Sequence, residues 1–449
     1  MIDLDAGPVL VHGMGITNRA AARALARRGV PLLLSDDGRD PAAADEAAAE
    51  LGLHCEHPER ADVAALVERA ATVLPTPGLP EVHPLFDAAR AAGRPVISEL
   101  DLAAAWDDRP TLAITGTNGK TTVTLLARDV LVASGIRAVE AGNTEVPLVE
   151  AIDDPEVEVF VVEASSFRLA HSNRYAPRVG TWLNFAPDHL DVHRGLDTYE
   201  AAKAAIWAHQ IEGDTAVGNA DDPIVSARLD EARGPRRVTF GLSSADYRVD
   251  PSGMRLVRPD GSVIAEVRDL HRSLPHDLSN SLAAVASAEP LGATPEGARA
   301  ALRRFRGLRH RVEVVGERDG IRWIDDSKAT APHATAAAAG GFPSVVLIAG
   351  GRNKGLDLGP LGQIGSVHAV VGIGESADEV VRAFAGRPSA TAGSMDEAVE
   401  AAARFARHGD IVLLSPGCAS FDWYSGYGER GDDFARAVRE LVLEGEGTR

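Results

Sequence analysis

The chain is 449 residues long, 45% apolar and 25% charged, with a net charge of −19 and no long basic block, which argues against nucleic acid as the main partner. No run approaches about 18 apolar residues, so no membrane span is expected, and Cys55 and Cys418 stand too far apart for a disulfide framework or a zinc site. The length suits roughly two to four domains, and the acidic start (residues 1–5), unlike a signal peptide, makes the cytoplasm the expected location.

Residues 1–107 alternate short apolar runs with helical patterns. VLVHG (9–13), PLLLSDD (31–37), ATVLP (71–75) and RPVIS (94–98) read as strands, and residues 17–28 and the alanine-rich 41–50 as helices. Strands alternating with helices imply a parallel sheet of Rossmann type. GMGITN (13–18) resembles a dinucleotide fingerprint with Asn18 in place of the third glycine, and by itself fits a tight βα turn equally well. Asp36 and Asp37 close the second strand, where such folds hold a ribose or a base; two solvated carboxylates are the alternative.

Residues 108–308 open on TLAITGTNGKTT (111–122). A short β-prone run ends in Gly116, Thr117, Asn118 and Gly119, and Lys120, Thr121 and Thr122 follow. Val123, Leu126, Val130 and Leu131 then recur at helical spacing. Strand, glycine loop, lysine, hydroxyl and helix is the order that holds a polyphosphate. Glycines let backbone N–H groups close around the oxygens, the helix N-terminus adds positive potential, and the lysine adds a full charge. Thr121 is placed to ligate Mg2+. The loop is not a strict Walker A, because Ile114 stands where that pattern has its first glycine.

The apolar run VEVFVVE (157–163) ends on Glu163. A carboxylate at a strand's carboxyl edge beside a phosphate loop usually faces Mg2+; otherwise it is a solvated strand end. In TWLNFAPDHLDVHRG (181–195), Asn184, Asp188, His189 and Asp191 crowd metal-competent groups into one loop. The helical TYEAAKAAIWAH behind it carries Lys203, which on its own reads as a solvated charge. Residues 238–270 alternate like a small β region, and 274–288 return to helix. From residue 309 the pattern resets into a second doubly wound unit, with strands at 322–325, 344–351, 368–374 and 410–417 and with DSKAT (326–330) and RNKG (352–355) as loops.

In this order the pieces resemble the Mur ligases of peptidoglycan precursor synthesis, a family related to the folylpolyglutamate synthetases. GTNGKTT, VVEASSF, LNFAPDHLD, YEAAKAAIW, NADD, FRGLRHRVE and DDSKAT match family landmarks over essentially the whole chain. LLSPGCASFDWYSGYGERGDDF (413–434) looks like the signature of the D-glutamate-adding branch. The resemblance implies three α/β domains: a Rossmann-like one binding the UDP moiety (1–107), a phosphate-loop ATPase with a mainly parallel sheet (108–308), and a Rossmann-like one carrying the incoming amino acid (309–449). The implied reaction is ATP-dependent addition of D-glutamate to UDP-N-acetylmuramoyl-L-alanine through an acyl phosphate. A monomer acting on small molecules is expected.

The same resemblance distributes the site residues. Gly116, Thr117, Asn118, Gly119, Lys120, Thr121 and Thr122, with Asn280, Arg311 and Asp326, would bind ATP. Thr121 and Glu163 would hold one Mg2+, and His189 with a carbamylated Lys203 a second. Gly15, Thr17, Asp36, Asp37, Thr76, Gly78, Asn143 and Ser165 fall at contacts to the muramoyl substrate. Lys328, Thr330, Lys354, Ser420, Phe421 and Tyr427 fall where the glutamate carboxylates are held. The chain departs from the usual pattern at Thr144, Glu145, Arg168 (glutamine is frequent there), Asp277, Arg309 and Ala331. Two rivals remain: another ligase of the superfamily and a non-catalytic nucleotide-binding regulator. SPGCASFD and DDSKAT speak against the first. Lys120, Thr121, Glu163, His189 and Lys203, all present, speak against the second.

Overall fold

Three β-sheets carry the described residues. A computed structural model describes residues 6–38, 40–59 and 62–446, so the acidic start at 1–5 lies outside the described residues. The chain divides into two compact units, Met1–Ser273 with Asp277–Phe305, and Leu274–His276 with Arg306–Arg449. The first unit holds two of the sheets and the second unit the third.

The first sheet is parallel, in the order Cys55–Glu56, Leu32–Ser35, Val9–His12, Thr72–Pro75. Its central strand is buried along its whole length, as a strand covered on both faces must be. The expected strand over 94–98 does not form; only Val96 bridges to Val73. Pro95 has no N–H to give a ladder, and Ser98 already begins the next helix, Glu99–Trp106, through a capping box with Asp101. Asn18, in the place of a third glycine, is buried and donates to the carbonyls of His12 (2.9 Å) and Leu74 (3.4 Å), tying the turn to both strands.

Nine strands make the second sheet. Its parallel core runs Arg236–Gly241, Thr215–Asn219, Val179–Trp182, Thr111–Thr115, Val159–Glu163, Ala138–Gly142. Thr111–Thr115 therefore lies between the strand ending at Trp182 and the strand ending at Glu163, and the residues following all three gather at one edge. The helix Lys120–Ala133 starts directly after Gly119 and buries Val123, Leu126, Val130 and Leu131, the face its period predicts. The β region expected near 238–270 forms as Tyr247–Val249, Arg255–Val257 and Val263–Glu266, the last two paired antiparallel.

The third sheet has the order Glu313–Arg318, Ile321–Asp325, Ile411–Leu414, Val345–Gly350, Val367–Ile373, Ser389–Ala392, parallel except for its first pair. Both edge strands went unread in the sequence. They are half exposed and carry no apolar run. Among the described residues no helix is long and apolar enough to cross a membrane.

Candidate active site

Two glycines shape the phosphate loop. Gly119 sits at φ +82°, where a Cβ would stand 2.8 Å from Asn280 Oδ1, and a Cβ on Gly116 would stand 2.9 Å from Leu183 Cβ. Asn280 is thereby placed against the loop. The loop is clamped from its other side by Asn184, whose carbonyl accepts Thr117 N–H (3.1 Å) and whose Oδ1 accepts Asn118 N–H (2.8 Å). Asn184 is thus a clamp and not a metal-competent group, and Trp182 Nε1 donates to its carbonyl as well (3.0 Å). With those two amides turned inward, the anion-facing role falls to the first turn of the helix, Lys120 to Thr122. Lys120 Nζ donates to the carbonyls of Gly116 (2.7 Å) and Thr117 (3.0 Å), which holds a full positive charge over the loop.

Glu163 is buried at the end of its strand. Its Oε1 accepts from Asn143 Nδ2 (3.0 Å), and its Oε2 has no hydrogen-bond partner among the described residues. A buried carboxylate oxygen without a donor is costly unless a cation meets it. Lys203, read from its helix as a surface charge, is instead fully buried. It donates to Gly116 O (2.9 Å) and lies 4.5 Å from the Tyr199 ring. Burial pushes its ammonium well below the usual lysine range; the Lys120 charge acts in the same direction and Asp188 opposes both. Tyr199, also unsuspected from sequence, donates to Thr117 Oγ1 (3.2 Å).

His189 adopts left-handed backbone (φ 56°), a conformation that costs a non-glycine residue roughly 1–2 kcal/mol. Its N–H donates to Asp188 Oδ1 (2.9 Å), and its ring stands edge-on to Phe167 at 4.8 Å. Thr121, Glu163 and a carbamylated Lys203 would offer hard oxygen donors suited to Mg2+, with His189 as an imidazole donor. The orphaned Glu163 Oε2 fits such an ion.

At the first sheet, Gly13 (φ +84°) packs so closely on Thr76 that a Cβ would meet it at 2.7 Å, which sets the turn before Gly15 against the Thr76–Gly78 turn. Thr17 Oγ1 and Asn143 Oδ1 both accept from Arg168, and Ser165 caps the short helix Ser166–Leu169 that carries this arginine. The two aspartates are half-buried and each already has partners. Asp36 accepts the N–H groups of Met14 (2.5 Å) and Gly38 (2.6 Å). Asp37 lies 2.8 Å from His83 Nε2 and 3.5 Å from His12 Nε2. His12, Asp37 and His83 could be mistaken for a metal cluster. Leu85 N–H, however, donates to His83 Nδ1, so the proton of the neutral ring sits on Nε2 and points at Asp37.

The departures are accommodated locally. Asp277 pairs with Arg272 (3.0 Å), Arg309 pairs with Asp432, and Thr144 Oγ1 donates to Val146 O (3.3 Å).

In the second unit Lys328, Thr330, Lys354, Ser420 and Phe421 sit on loops at the carboxyl ends of the parallel strands, and Tyr427 opens the helix Tyr427–Glu446. Lys328 Nζ lies 4.8 Å from the Tyr427 ring, and Lys354 Nζ lies 3.5 Å from Thr330 Oγ1. Arg352 and Ala419 exchange backbone hydrogen bonds (2.9 and 3.0 Å), which runs the Lys354 loop beside the buried Ser420. The Phe421 side chain is 63% exposed. Arg430, fully buried, joins these loops: it donates to Ser327 Oγ, Ser327 O and Cys418 O. An arginine in an amphipathic helix gives no sequence signal of such a role. Asp326 is buried, accepts from Ser415 Oγ (2.8 Å), and is pushed up to about 7 by desolvation, with Arg311 opposing. The nucleotide candidates therefore divide, Gly116 to Thr122 and Asn280 in the first unit, Arg311 and Asp326 in the second.

Residues 114–288 match the Mur ligase middle domain, and residues 310–418 match the Mur ligase glutamate ligase domain. A UDP-N-acetylmuramoylalanine--D-glutamate ligase of Frankia casuarinae is 45% identical over 96% of this chain and 94% of its own length. The enzyme of the same name from Desulfosudis oleivorans is 38% identical over 98% of each. Among solved structures, the MurF ligase of Thermotoga maritima in complex with ADP aligns with a TM-score of 0.60 at 18% identity, over 81% of this chain and 92% of that one. A pseudomurein peptide ligase type C from Methanothermus fervidus aligns at 0.61 and 17% identity, over 97% and 100%. At these identities the two structures bear on the fold alone.

Proposed function

The chain belongs to the Mur ligase family, and from that premise we propose that it is the ATP-dependent ligase joining D-glutamate to UDP-N-acetylmuramoyl-L-alanine in peptidoglycan synthesis. It acts on small molecules, as a monomer, in the cytoplasm where its nucleotide substrates are made. The observation that carries this reading is Glu163. It is buried beside the phosphate-loop strand, has one oxygen held by Asn143, and has the other left for a cation.

A carboxylate at neutral pH is a poor electrophile, so the amide forms only after activation. An oxygen of the alanyl carboxylate attacks the γ-phosphorus of ATP, and ADP leaves. The glutamate amine then attacks the acyl carbon of the resulting acyl phosphate, and inorganic phosphate departs as the nitrogen loses a proton. The first step brings two anions together. Lys120, held over the loop, counters their repulsion and follows the transferring charge. Thr121 and Glu163 would hold one Mg2+ and His189 with Lys203 a second, and the two ions would supply further charge neutralisation. Lys203 can join that set only as a carbamate, formed when its neutral amine adds CO2 and releases a proton. Burial that depresses its pKa supplies the neutral amine. Lys328, Thr330, Lys354 and Ser420 grip the glutamate carboxylates through charge-assisted and hydroxyl hydrogen bonds.

The direct test is mass analysis of the product made from UDP-N-acetylmuramoyl-L-alanine with each glutamate enantiomer. A single adduct with D-glutamate is expected, with phosphate release that requires both substrates. Adduct formation with L-glutamate only, or none, would overturn the reading. Lys203→Ala should be nearly inactive and partly rescued by a small carboxylate, and the absence of a carbamate carbonyl resonance in fully active enzyme equilibrated with 13C-labelled CO2 at neutral pH would exclude the modification.

A further inference from the structure

Arg168 is 4% exposed. Its Nε donates to Glu99 Oε1 (2.9 Å), its Nη2 to Thr17 Oγ1 (2.7 Å) and its Nη1 to Asn143 Oδ1 (3.0 Å). Glu99 is itself 2% exposed, lies in the first turn of its helix where the dipole favours an anion, and accepts Val149 N–H (3.2 Å). Both charges are thus buried, paired and hydrogen-bonded.

The order of these bonds has one direction. A guanidinium has only donors and stays charged, so Asn143 must turn its oxygen to Arg168 and its amide N–H groups toward Glu163. Asn143 Nδ2 then occupies Glu163 Oε1 (3.0 Å), and Oε2 is the oxygen left without a partner. A glutamine in place of Arg168 could still donate one N–H to Asn143 Oδ1, but it lacks the charge paired with Glu99 and the further donor to Thr17, and so holds Asn143 less firmly against Glu163. Resting on the metal role of Glu163 proposed above, we infer that Arg168 is a positioning residue: paired with Glu99, it orients Asn143 so that Glu163 directs one fixed oxygen to Mg2+. Through Thr17 the same guanidinium fixes the muramoyl-substrate side. Removing this outer support loosens both the metal and the muramoyl substrate and leaves glutamate binding untouched.

The experiment uses the full chain with Mn2+, a paramagnetic stand-in for Mg2+, titrated in the presence of ADP and followed by electron paramagnetic resonance. Arg168→Gln is expected to weaken Mn2+ roughly ten- to a hundredfold, the usual effect of losing an outer-shell partner. It should also raise the KM for the muramoyl substrate while the KM for glutamate stays within twofold. Because the Arg168→Gln substitution leaves Glu99 a lone buried charge, the paired variant Glu99→Gln/Arg168→Gln carries the same measurements without one. Mn2+ affinity within twofold of wild type in either folded variant overturns the inference. A paired variant that does not fold also overturns it, by making the ion pair a folding element. Product formation by the wild-type chain is read separately, so a wrong amino-acid assignment leaves the metal titration able to decide.

Discussion

Single side chains carry the reaction's electrostatics, and two of them make separable predictions. Lys120→Ala removes the charge over the phosphate loop, and turnover should fall by about two to three orders of magnitude while the folded structure persists. Phosphate release under saturating substrates measures this, and a loss of less than tenfold would move the phosphate site elsewhere. Asp326 predicts a pH dependence. Its carboxyl titrates near 7 in the folded chain, and in the unfolded chain within the ordinary carboxylate range, so the native state holds the proton more tightly. The stability this group adds is full below that range and is lost as pH rises through about 7, a change on the order of 4 kcal/mol at most. Asp325, also raised by burial, adds to the same slope. Asp326→Asn should flatten the stability profile between pH 4 and 7 in denaturant titrations; an unchanged slope would place the titration elsewhere. Lys120 and Glu163 were legible in the sequence because a strand end and a glycine loop announce them. Lys203, Arg168, Glu99 and Arg430 were not, since a charged residue in a helical pattern looks the same whether it faces water or is buried. Family resemblance alone singled out Lys203.

At the scale of elements, the buried parallel strands and the helices between them were readable, because each is a continuous apolar run or a 3.6-residue stripe. What failed were the margins. RPVIS has the composition of a strand, but Pro95 cannot join a ladder and Ser98 begins a helix. Cys55–Glu56 is too short to show a period, and the two edge strands of the third sheet are too exposed. The joint between the phosphate loop and its helix is the most demanding point in the first unit. Gly119→Ala would place a Cβ on left-handed backbone at about 1–2 kcal/mol and drive it into Asn280 Oδ1. ADP affinity measured by calorimetry should drop tenfold or more, with the melting temperature lowered by a few degrees. Unchanged ADP affinity would show that the loop tolerates other geometries and that Asn280 is not held against it.

On the scale of the molecule, the first unit holds the phosphate loop and the second the candidate amino-acid residues together with the nucleotide candidates Arg311 and Asp326. In a protein of net charge −19, cations must be gathered locally to hold a dianionic amino acid, and the proposed site has Lys328 beside Tyr427 and Lys354 beside Thr330. Lys354→Ala should raise the KM for glutamate about ten- to a hundredfold, the value of one charge-assisted bond, with the KM for ATP little changed. Steady-state kinetics decide it, and an unchanged glutamate KM in both Lys328→Ala and Lys354→Ala would relocate the amino-acid site. The first unit contains a different kind of convenience. Trp182 donates its indole N–H to the same Asn184 carbonyl that accepts Thr117 N–H, and it is fully buried, 5.6 Å from the Trp207 ring. The phosphate loop and a chromophore thus share one acceptor, so a nucleotide that displaces Thr117 should alter the hydrogen bonding at the indole and be read as a change in the protein's own ultraviolet emission.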